Sequence, residues 1–206
     1  MASDTVTGWL LVGGTVIGLA FVAHPALVRI WGMPREQHTA EVASHRVVWA
    51  LLNAGFVLAT VTTAAAIIIL GGIVYAGSGW SPVILACGVA YAMGGVLWCA
   101  QLAIRTWTTP LLHDLGPDSY AEPPVRLLDA AMGGLFAAFV YTCATVLAVL
   151  GFALLLAGGL PAVTCILTIV VGVAALLWML VARDVVPAVL YLPTLLIGVA
   201  LLAGWE

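Results

Sequence analysis

The 206-residue chain is 64% apolar and 7% charged, with six Lys plus Arg against nine Asp plus Glu and a formal net charge of −3. An ordinary soluble domain is about a quarter charged, so this composition excludes a soluble fold. Six arginines without a basic run likewise exclude a nucleic-acid-binding surface.

A helix rising about 1.5 Å per residue crosses a hydrocarbon core of about 30 Å in about 20 residues. Six apolar stretches of that kind fit the chain, at about 8–31, 46–70, 82–107, 126–157, 161–182 and 185–205. The expected fold is therefore all-α: a polytopic membrane protein, one bundle of six transmembrane helices arranged as three hairpins. The residues ahead of the first stretch contain Asp4 and no Lys or Arg, so the basic segment of a secretory signal is missing. The first stretch reads as a retained helix.

In that first span, Gly14 and Gly18 have the four-residue spacing that lets helix backbones approach closely in lipid. Pro25 deprives the Phe21 carbonyl of its helical partner. The polar residues 32–44 read as a loop, with Ser44 placed to cap the second span. That span carries one buried polar group, Asn53, and ends in an uncharged glycine-rich turn at 71–81. The third span holds Gly94, Gly95, Cys99, Gln101 and Arg105, and the longest polar segment follows it at 108–125. The fourth span has Asp129 in its first turn, and Gly158-Gly159-Leu160-Pro161 turns the chain into the fifth. Arg183-Asp184 leads to the sixth, where Pro187 suits a first helical turn and Pro193 predicts a kink.

All six arginines (Arg29, Arg35, Arg46, Arg105, Arg126 and Arg183) fall in or beside the turns after spans one, three and five, and none in the two opposite turns. Arginine-rich short loops stay cytoplasmic, so both termini are expected outside. Trp9, Trp80 and Trp205 then mark outer helix ends and Trp31, Trp49 and Trp107 inner ones, at the depth indole rings favour. Trp98 and Trp178 lie deeper, where an indole either fills helix packing or walls a ligand pocket.

Cys87, Cys99, Cys143 and Cys165 all lie inside spans, with no C-x-x-C pair, and read as small apolar fillers. The echo of Ala92-Met93-Gly94-Gly95 in Ala131-Met132-Gly133-Gly134 does not extend in either direction. Both di-glycine patches are expected to mark close contacts between spans three and four.

The residues with chemistry to offer lie on the cytoplasmic side. His24, His45 and His113 are the candidate cofactor ligands, with His24 about 10 Å inside its span by helical rise. Arg46, Arg105, Arg126 and Arg183 are candidates for lipid headgroup contact; Arg46 opposes the dipole at a helix start, which suits a phosphate better than helix stability. Arg105, on one face with Gln101, is expected to pair with Asp114 or Asp129, and Arg126 to share a face with Asp129.

These residues support three functions. The first is a small integral membrane subunit or accessory protein of a larger assembly, contacting a lipid, quinone or haem near the cytoplasmic face, with membrane lipids and other subunits as partners. Haem held by His24 and His45 requires both rings on one iron at about 2 Å, against a depth difference of about 10 Å. The second is a small transporter or channel built on broken helices at Pro25, Pro193 and the di-glycines. The third is an intramembrane metal-dependent enzyme using His24, His45, His113 and Asp129, which needs three ligands and an open position. The absence of Lys and the abundance of Ala, Val, Gly and Leu point to a prokaryotic plasma membrane.

Overall fold

The computed structural model describes residues 2–30 and 33–204; Trp31 and Trp205, two of the expected boundary tryptophans, lie outside them. The described residues are mostly helical, joined by short turns and without a strand. In chain order they form α1 (Ala2–Val22), α2 (Pro25–Ile30), α3 (Arg35–Ser44), α4 (Arg46–Ile69), α5 (Ser81–Leu115), α6 (Pro123–Ala157), α7 (Ala162–Ala182) and α8 (Leu192–Ala203). A π-turn at Leu70–Val74 prolongs α4, and 3₁₀ turns at Pro117–Ala121 and Pro187–Tyr191 lead into α6 and α8.

Five of these helical stretches are long and apolar enough to cross a membrane: Ser3–Val22, Arg46–Val74, Ser81–Leu115, Pro123–Ala157 and Ala162–Ala182. The sixth apolar stretch, Pro187–Ala203, is shorter than expected. It starts as a 3₁₀ turn on Pro187 and becomes α-helical only at Leu192, beside Pro193, so the expected kink is a change of helix type.

The first expected span is also shorter, because α1 stops at Val22. Pro25 has no N–H to give Phe21 and disfavours helical backbone at His24. The Phe21 carbonyl accepts instead from the His24 N–H at 3.3 Å, a tighter turn that ends the helix. Within the expected loop at 32–44, residues 35–44 form helix α3, whose buried Thr39 and Val42 face inward and which packs on α5. Ser44 does not cap α4: its hydroxyl donates back to the Glu41 carbonyl at 2.8 Å, closing α3, and His45 occupies the junction. The polar segment at 108–125 is largely helical as well. α5 runs through Pro110 to Leu115, with Thr109, Pro110 and Leu112 buried, and Thr106 and Thr108 hydroxyls bonding back to Leu102 and Ile104 carbonyls.

Each long helix packs on the next, α1 on α4, α4 on α5, α5 on α6, α6 on α7 and α7 on α8, and α8 returns to α1. Tyr91, Tyr191 and Phe139 are wholly buried within this ring. The Tyr191 hydroxyl meets Thr60 Oγ1 at 2.8 Å, and Thr15 and Thr194 hydroxyls meet at 3.0 Å, fastening the last segment to α4 and α1. Close approach at Gly14 and Gly18 follows the expected spacing: an added Cβ would stand 2.8 Å from Thr63 Oγ1 and 3.2 Å from the Tyr191 ring.

The two di-glycines part company. A Cβ at Gly94 would meet Cys143 and Thr142 of α6, but Gly95 faces Thr60 of α4, and Gly133 and Gly134 have nothing within 4 Å. The second patch is open rather than a helix contact. Gly134→Ala should therefore raise stability by up to about 1 kcal/mol through helix propensity alone, read as an upward shift in thermal midpoint; a fall would mean that the patch is covered. Of the four cysteines, Cys87, Cys143 and Cys165 are buried, as fillers are.

Candidate functional site

Trp98, Gln101 and Arg105 follow one another on α5 at spacings of three and four, which places them on one helical face. That face borders three adjoining cavities. The largest, about 530 Å³, is lined by all three together with Met132, Phe136 and Asp184. A second, about 240 Å³, adds Arg35, His38 and Asp129 from α3 and α6. The third, about 50 Å³, reaches Trp49, Asn53 and Phe56 on α4. Arg105 lines all three.

Arg105 makes no ion pair among the described residues, which corrects the expected pairing. Asp129 is taken by Arg35 at 2.6 Å, and Asp114 by Arg46 at 2.8 Å. The cause lies in the two helices that replace loops. α3 delivers Arg35 to Asp129, and the prolonged α5 carries Asp114 beyond Arg105 to Arg46 at the start of α4. Arg35 also lies over the Tyr120 ring, 4.6 Å from its centroid, and the Tyr120 hydroxyl meets Thr39 at 2.8 Å. Arg46 is thus engaged with a carboxylate, and Asp129 with Arg35 rather than Arg126.

Trp49 holds Arg105 in place. The guanidinium lies 4.6 Å from the Trp49 ring centroid, and the Trp49 indole N–H donates to the Arg105 carbonyl at 3.4 Å. Trp49, in the first turn of α4, is 3% exposed and forms a buried platform. Trp107 is 79% exposed and faces outward. Trp98 both fills packing and walls the cavity, stacked on Phe139 at 4.9 Å and 13°. Trp178, exposed on α7, does neither.

Four buried polar atoms around this chamber find no hydrogen-bond partner: Trp98 Nε1, Gln101 Oε1, Asn53 Nδ2 and His38 Nε2. Buried polar groups are nearly always paired, and an unpaired one costs about 1–3 kcal/mol. The Arg105 guanidinium, the Trp98 indole N–H and the Asn53 amide nitrogen donate, while the Gln101 carbonyl oxygen accepts, so the lining suits a ligand that presents oxygen acceptors together with a donor.

Burial pushes His38 down from 6.5 to about 4, with Arg105 and Arg35 adding to the effect. Arg35 on its own helix, Arg105 on α5 and Asp129 on α6 are the charged groups bordering the same cavity. The ring is neutral when folded and gains its proton on unfolding at mildly acid pH. Stability is then full above pH about 6.5 and falls as pH drops towards 4, by up to about 1.4 kcal/mol per pH unit. Thermal midpoints across that window should decline in wild type and flatten in His38→Gln; parallel slopes would mean that His38 titrates freely.

The three histidines expected to bind a cofactor do not enter the chamber. His24 is exposed at the α1–α2 break, and His113 is exposed in the last turn of α5. His45 is exposed at the α3–α4 junction, its Nδ1 2.8 Å from Ser44 Oγ, beside a cleft of about 20 Å³ that has no room for a porphyrin. Among the described residues no three His, Cys, Asp or Glu side chains gather to hold a metal. Arg126 and Arg183 are exposed, at the start of α6 and the end of α7. His38, Trp98, Gln101 and Asn53 join Arg105 instead. The spacing of Arg35, His38, Thr39 and Val42 is the amphipathic signal that could have found His38.

No family model, curated protein or solved structure matches the chain. The chemistry of the chamber is what its function must be read from.

Proposed function

We propose that this is a six-span protein of a prokaryotic plasma membrane, three hairpins with both termini outside, that seats the polar head of an amphiphile around Arg105. It does so as a small subunit or accessory protein of a larger membrane assembly. The observation that carries this reading is the cavity of about 530 Å³ in which an unpaired Arg105 meets the unpartnered Trp98 and Gln101. An uncompensated cation in a protein interior is destabilising, and ionisable groups within membrane helices default to function. A bound oxygen-rich head relieves both.

Depth supports the choice of an amphiphile. Arg105 lies 24 residues beyond Ser81, so about 36 Å along α5 by helical rise. Against a hydrocarbon core of about 30 Å, that is the level of lipid headgroups. Apolar Met132, Phe136, Val186 and Pro187 on the same cavity suit the chain that follows a head. For the sixth span, five 3₁₀ residues at about 2.0 Å and twelve α-helical ones at about 1.5 Å give about 28 Å, close to a full crossing. The arginine distribution supports the orientation.

Two experiments test this. Native mass spectrometry of the chain extracted from its own membrane in mild detergent should show a stoichiometric amphiphile, lost in Arg105→Gln, together with co-purifying subunits. A bare monomer would overturn the reading. Reporters fused to each terminus should both signal outside; a cytoplasmic signal from both would overturn the topology.

A further inference from the structure

The largest cavity carries two fixed charges of opposite sign. Arg105 enters it from α5 and Asp184 from the turn after α7, and they do not pair with each other or with any other described residue. Asp184 is held there by its neighbours. Arg183 adopts left-handed backbone at φ 56°, Val185 is 4% exposed, and Pro187 opens the following 3₁₀ turn. The carboxylate is thus presented by an anchored turn. Trp98 and Gln101, 3% and 8% exposed and each with an unpartnered polar atom, line the same space.

Resting on the amphiphile reading above, we infer that this cavity selects a zwitterionic head, an anionic oxygen group at Arg105 and the Trp98 indole N–H joined through a linker to a primary ammonium at Asp184, with the Gln101 carbonyl oxygen as a further acceptor for that ammonium. A purely anionic head would gain Arg105 but face the Asp184 carboxylate. A purely cationic one would face Arg105, and a neutral quinone would leave both charges unpaired. Only a head bearing both charges answers both groups, and the cost of taking it out of water is offset because each of its charges meets an opposite one in the cavity. A phosphate ester of an amino alcohol has this chemistry. It reaches the protein either as a lipid headgroup or as the free phosphoethanolamine ion. Gly133, on the cavity wall with nothing within 4 Å of where a Cβ would stand, leaves the α6 side open to a lipid.

The test is native mass spectrometry of the full chain from bilayer discs holding equal amounts of dioleoyl phosphatidylethanolamine and dioleoyl phosphatidylglycerol. Wild type should retain the ethanolamine lipid about tenfold over the glycerol lipid, as one charge-assisted contact predicts. Asp184→Asn should erase that preference while still retaining lipid, and Asp184→Glu should restore it. Arg105→Gln should retain neither lipid. A preference unchanged in Asp184→Asn would overturn the zwitterion inference while leaving the amphiphile reading intact. Wild type retaining no lipid would overturn both, unless free phosphoethanolamine, added at millimolar levels, raises its thermal midpoint where ethanolamine and inorganic phosphate do not. That outcome would support the same head chemistry from a soluble source. Because Asp184 is exposed, its variants are expected to fold, and their thermal midpoints check this.

Discussion

Arg105→Leu should empty the chamber and yet leave the ligand-free protein at least as stable as wild type. The guanidinium gains a cation–π contact with Trp49, worth about 0.5–2 kcal/mol. Against that stand the partial desolvation of a half-buried cation without a carboxylate beside it and the benefit of an apolar replacement of similar reach. The two roughly cancel, so leucine is expected to be no less stable than arginine. Binding moves the other way. Loss of a charged fork facing a phosphate or carboxylate weakens retention by about a hundredfold. Thermal melts of delipidated protein alongside lipid retention read both quantities on one sample. A variant that melts well below wild type would point to a structural ion pair, which is what Arg105 suggests in the sequence alone.

Gly172→Val should do the reverse and break the scaffold. A Cβ at Gly172 would stand 2.7 Å from the Ala144 carbonyl oxygen and from the Ala148 nitrogen. These are backbone atoms of α6 and cannot swing aside. From the other helix, a Cβ added at Gly151 would stand 2.8 Å from the Cys165 carbonyl oxygen and 2.9 Å from the Ile169 nitrogen. Helices in lipid are held together by such close packing, with no hydrophobic force to replace it. Valine adds its branches to a contact already closed, and a loss of about 3 kcal/mol is expected. Denaturant titration in micelles, with Gly134→Ala as the tolerant control, measures it. The variant should also lose discrimination between headgroups, because α7 cannot move without moving the turn that bears Asp184. Stability within about 0.5 kcal/mol of wild type would show that α7 does not lean on α6 here.

Where the chain is uniformly apolar, composition alone locates the elements, and α7 begins one residue from its expected start. The errors cluster where helices are short or amphipathic. α3 is polar on most of its surface and only ten residues long, so a test for apolar runs passes over it. Pro110 looks like a helix end because the rule for proline is local, whereas burial of Thr109 and Leu112 keeps α5 going. The alignment of Gln101 with Arg105 was legible from helical spacing, and the depth of Trp98 left helix packing and a pocket wall as its two roles. The freedom of Arg105 was not. It depends on Arg35 and Arg46 reaching Asp129 and Asp114, contacts made by side chains far apart in the chain. The exposure of the histidines was not legible either: Pro25 and the α3–α4 junction place His24 and His45 at exposed corners.

The helices that cross are unequal. α5 and α6 have 35 residues each, about 52 Å by helical rise, against 21 residues and about 31 Å for α1 and α7. Even tilted by about 40° the longer pair overreach a hydrocarbon layer of about 30 Å, while the shorter pair only just match it. Mismatch with the bilayer therefore falls on α1, α7 and the shorter sixth stretch before it falls on α5 or α6. Asp184 sits on the turn between α7 and the sixth stretch and Arg105 on α5, so a change in membrane thickness is expected to act on one charge before the other.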